Sequence, residues 1–72
     1  MRTEAELQAR IVDLGMRIVQ WTRARSALVL QLDECGRWTE RRAVKRKIKL
    51  VDALRRADSE EQRRLMEELR SL

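Results

Sequence analysis

Arg37, Arg41, Lys45 and Lys49 recur every four residues, and Arg42 and Arg46 flank them. Four residues is little more than one helical turn, so on a helix these cations share a face. The chemistry open to such a face is electrostatic. It suits a phosphate backbone, which rewards positive charge whatever the base sequence. It equally suits the carboxylates of an acidic protein, and less well an anionic membrane. Trp38 lies at the head of this run. It is expected to close a helix–helix turn over the core; exposed beside the cations, it would instead be an anchor for a partner.

Bond-making chemistry finds little support. There is no His and no Tyr, no glycine-rich phosphate loop, and no nucleophile beside a base. Most carboxylates stand at expected helix starts or among arginines, where capping and surface pairing explain them. The only cysteine is Cys35, so an internal disulfide is excluded, as is a Cys/His metal site. The reading is of a binding protein, not an enzyme, with no cofactor, no metal and no small-molecule substrate. Its expected partners are an acidic protein surface or nucleic acid.

Charge supports that emphasis. The chain carries +5 overall, but residues 1–35 hold five basic and five acidic side chains. Residues 36–57 hold nine basic against two acidic, and all three lysines fall there. Residues 58–72 are net acidic. The positive field therefore belongs to one segment.

That segment has to be positioned by helices. The chain has 72 residues, no Pro, two Gly, no Phe and no Tyr, and it is rich in Leu, Arg, Glu and Ala. This composition favours helix almost throughout, giving an all-α class. Leu7, Ile11, Leu14, Ile18, Trp21, Leu28, Leu32 and Cys35 fall on one alternating 4,3 spacing that only Arg25 interrupts. Such a stripe marks a helix presenting a narrow seam to another helix. The seam is expected to serve self-association, giving a homodimer; its other use is as the core stripe within one chain. Val12, Val19 and Val29 widen the apolar face. Gly15, Thr22 and Ser26 line its flank, where another helix could approach closely. Arg25 has no carboxylate three or four residues away. Its stem is expected to pack and its head to reach water, unless a carboxylate from another helix, such as Asp52, pairs with it.

Three helices are expected, forming a long N-terminal helix and two shorter ones that fold back as a helical hairpin or three-helix unit. Thr3-Glu4-Ala5-Glu6 reads as a capping box opening a first helix over 4–35. Gly36 would close it in the left-handed conformation. A second helix over 39–57 carries Val44, Ile48, Val51 and Leu54. Asp58-Ser59-Glu60-Glu61-Gln62 reads as a fresh start, with Ser59 capping a third helix over 60–72. The whole is one domain. The longest strictly apolar run, Ala27–Leu30, is far short of the roughly 20 residues that span a bilayer. No signal-peptide pattern is present, and a lone cysteine suits a reducing compartment, so a cytoplasmic location is expected.

Overall fold

A computed structural model describes residues 2–72. It contains two helices, α1 (Glu4–Glu34) and α2 (Trp38–Arg70), joined by residues 35–37. The helices run antiparallel. Arg10, near the start of α1, bonds Glu61 near the end of α2, whereas Leu32, near the end of α1, meets Arg41 near the start of α2. The molecule is a rod of 53 × 14 × 13 Å. Helices of 31 and 33 residues at about 1.5 Å per residue account for its length.

The start of α1 forms as the capping reading requires. Thr3 is extended, and its hydroxyl accepts from the Glu6 N–H at 3.2 Å. The expected third helix does not form: α2 continues unbroken through Asp58 and Ser59. The reason lies across the interface. Asp58 accepts a hydrogen bond from Trp21, and Gln62, one turn on, donates to the Ile11 carbonyl. Both side chains turn toward α1, and Ser59 caps nothing. Breaking the helix here would give up those contacts, and no proline forces a break.

The apolar seam of α1 packs against α2 of the same chain. Leu7 and Leu14 are fully buried, and Leu65 packs with them, supported by Ile11 and Leu69. Val44 is buried nearer the turn. On α2, residues 41, 44, 48, 51, 55, 58, 62, 65 and 69 are all buried or half-buried, an unbroken 3,4 spacing matching that of α1. Four of these nine are polar (Arg41, Arg55, Asp58, Gln62), so the seam is part apolar contact and part hydrogen-bonded layer.

The connection has the expected three residues but lies one position earlier, at 35–37 in place of 36–38. α1 ends at Glu34, and Cys35 caps it by donating to the Gln31 and Leu32 carbonyls. No residue described, Gly36 included, has a positive φ. The left-handed closure is therefore absent, because extended backbone at Cys35 and Arg37 makes the reversal instead.

Candidate basic interface

α1 ends on Asp33 and Glu34 with no cation in its last turn, an unfavourable pairing with the negative end of its dipole. Arg41 resolves it. Its Nη1 donates to the Leu32 carbonyl at 3.1 Å and the Cys35 carbonyl at 3.4 Å. Arg41 thus serves the turn and is only half-exposed, so it leaves the set of free cations to which its spacing assigns it.

Arg37, Arg42, Lys45, Arg46 and Lys49 are exposed. None forms an ion pair among the described residues; the bridges there involve Arg10, Arg17 and Arg25. Trp38 is 70% exposed and does not cover the core. The short turn makes it the first residue of α2, and the neighbouring seam positions are taken by Arg41 and Val44. An exposed indole therefore stands in solvent beside cations that form no ion pair among the described residues.

Because α2 is continuous, a longer pattern emerges. Arg42, Lys49, Arg56, Arg63 and Arg70 are all exposed and recur every seven residues, about 10 Å apart along the helix. The sequence carries this signal as a seven-residue repeat of cations, which the expected helix break at Asp58 conceals. Glu60 and Glu67 alternate with its distal members. The strongest field therefore remains over residues 37–56, where only Glu40 and Asp52 are acidic. Asp52 is itself engaged, accepting from Arg25 Nε at 2.8 Å.

Leu7 and Leu14 are buried, and Ile11, Ile18, Trp21, Leu28 and Leu32 are half-buried against α2. Arg25 takes the interhelical pairing with Asp52 and remains 43% exposed along its side chain. In this structure the seam's partner is α2, and a homodimer through it is not shown.

No group of three or more His, Cys, Asp or Glu side chains that could hold a metal ion occurs among the described residues. No helix there is long and apolar enough to cross a membrane. Comparison of the chain with protein-family models, curated proteins and solved structures found no match.

Proposed function

We propose that the protein is a small, non-enzymatic helical binding module that regulates a macromolecule by docking the N-terminal half of α2 on its acidic surface. The observation that carries this reading is the exposed set Arg37, Arg42, Lys45, Arg46 and Lys49, free of ion pairs among the described residues, with Trp38 standing 70% exposed beside it. Exposed tryptophan flanked by arginine is the composition of binding hot spots. The cations steer an acidic partner, and the indole supplies apolar contact area. Self-association belongs to the same reading, through an outward face of the hairpin.

The line of cations along α2 favours a second reading, contact with nucleic-acid phosphates. Immobilised protein, challenged with cell extract before and after nuclease treatment, separates the two. A protein partner survives nuclease, and Trp38→Ala reduces its capture more than Lys45→Ala does. A nucleic-acid ligand disappears with nuclease and falls steeply with salt. Capture unaffected by both Trp38→Ala and charge reversal at Lys45, Arg46 and Lys49 would overturn both.

A further inference from the structure

Ala5, Ala9, Val12, Met16 and Val19 form a second 4,3 stripe on α1, on almost the opposite side from the buried seam. Arg23 ends it. All five residues are exposed; Val12 and Met16 are each 62% exposed and Val19 is 50%. Met16, Val19, Gln20 and Arg23 line a shallow concavity on this face. A helix with apolar stripes on two sides contacts more than one neighbour, and α2 covers only the first.

We propose that the second neighbour is another copy of this chain, joined through the outer faces of two α1 helices into a four-helix assembly. Three observations select that occupant. The first is area. The chain exposes 5841 Å², whereas a compact monomer of its mass exposes about 4,700 Å². The excess, about 1,100 Å², is spread along the rod and exceeds the roughly 800 Å² per partner of a standard interface.

The second is charge. α1 carries four basic and five acidic residues, so two copies can meet there without repulsion. Leu50 and Leu54, exposed apolar residues of α2, have Arg46, Lys47, Lys49 and Arg55 around them, and pairing there would set cation against cation.

The third is self-complementarity. A two-fold axis requires the same patch to fit itself. Run antiparallel about Val12, the stripe sets Ala5 against Val19 of the second copy, Ala9 against its Met16, and Val12 against its Val12. Small residues thus oppose large ones, which lets helices interdigitate. Both basic faces of α2 then point outward, making the assembly bivalent.

This deepens the self-association part of the reading above and is independent of what the basic face binds. The experiment is sedimentation equilibrium of the full chain from micromolar to millimolar concentration. The expected mass is twice the 8.6 kDa of one chain. Met16→Lys should weaken the dimer at least tenfold with unchanged helix content by circular dichroism, and Leu50→Lys should leave it intact. If Met16→Lys does not fold, Met16→Ala serves, with a smaller loss expected. A wild-type chain that stays at monomer mass throughout overturns the proposal. So does a folded Met16 variant that dimerises like the parent. Polyanion binding that persists in the monomeric variant would show that the two surfaces act separately.

Discussion

The Trp21 indole N–H donates to Asp58 Oδ2 at 2.8 Å, across the middle of the hairpin. Asp58 has only 9% of its side chain exposed, and Arg17 Nε approaches the same oxygen at 3.3 Å. A buried carboxylate is costly unless it is hydrogen-bonded. Here the hydrogen bond comes from an aromatic seam residue, and a half-exposed arginine adds an ion pair. Side-chain polar groups buried without a partner are absent among the described residues.

Asp58→Ala should therefore destabilise the hairpin. Losing a charged hydrogen bond costs about 1.5–3 kcal/mol, offset by up to about 0.7 kcal/mol of helix propensity. The Arg17 contact adds little, since 41% of its side chain is exposed. A net loss of about 1–2 kcal/mol is expected from urea unfolding followed by circular dichroism, and Asp58→Asn should recover part of it. Parental stability in Asp58→Ala would mean that the Trp21 bond does not hold the middle of the rod.

The two glycines should respond differently to alanine. A Cβ at Gly36 would meet nothing within 4 Å, and its φ is not positive. Gly36→Ala should stabilise by about 0.4–1 kcal/mol, chiefly by restricting the unfolded chain. A Cβ at Gly15 would lie 3.3 Å from the Gln62 amide nitrogen, which donates to the Ile11 carbonyl. The helix-propensity gain of about 1 kcal/mol at that site should be cut to roughly half as the flexible Gln62 side chain shifts. Gly15→Ala/Gln62→Ala should show the coupling as non-additivity. Strictly additive changes would rule out that contact.

Arg41→Ala should fray the end of α1 without unfolding the rod. It removes the only side-chain donor bonded to the Leu32 and Cys35 carbonyls among the described residues and leaves Asp33 and Glu34 uncompensated. A loss of about 1 kcal/mol is expected. Amide hydrogen exchange of the last turn of α1 should quicken, while that around Leu7 and Leu65 should not. Uniform quickening would show instead that the turn and the core open together.

Much of this architecture is legible in the sequence. The spacing of Leu7 through Leu32 gives α1, Thr3 gives its start, and the density of cations after Gly36 gives the basic face. α2 is harder to read because four of its nine seam positions are polar. Arg41, Asp58 and Gln62 belong there only because a carbonyl, an indole or an arginine on α1 meets them. Asp58 through Gln62 has the composition of a helix start and equally of a helix interior; the tertiary partners decide. Arg25 is the converse case. With no carboxylate three or four residues away on α1, its head is expected to reach water, with Asp52 as the alternative partner, and the structure shows the alternative.

The exposed cations of α2 are proposed to bind an anionic macromolecular surface. Fluorescence anisotropy reads this binding. Labelled polyglutamate and mixed-sequence DNA and RNA, duplex and single-stranded, would be titrated with the protein at several salt concentrations. Binding should weaken as salt rises and be lost on charge reversal at Lys45, Arg46 and Lys49, with helix content unchanged. Stronger binding of polyglutamate favours a protein partner, and stronger binding of nucleic acid favours phosphates. No binding to any of these polyanions at low salt, or equal binding by the reversed variant, would contradict it.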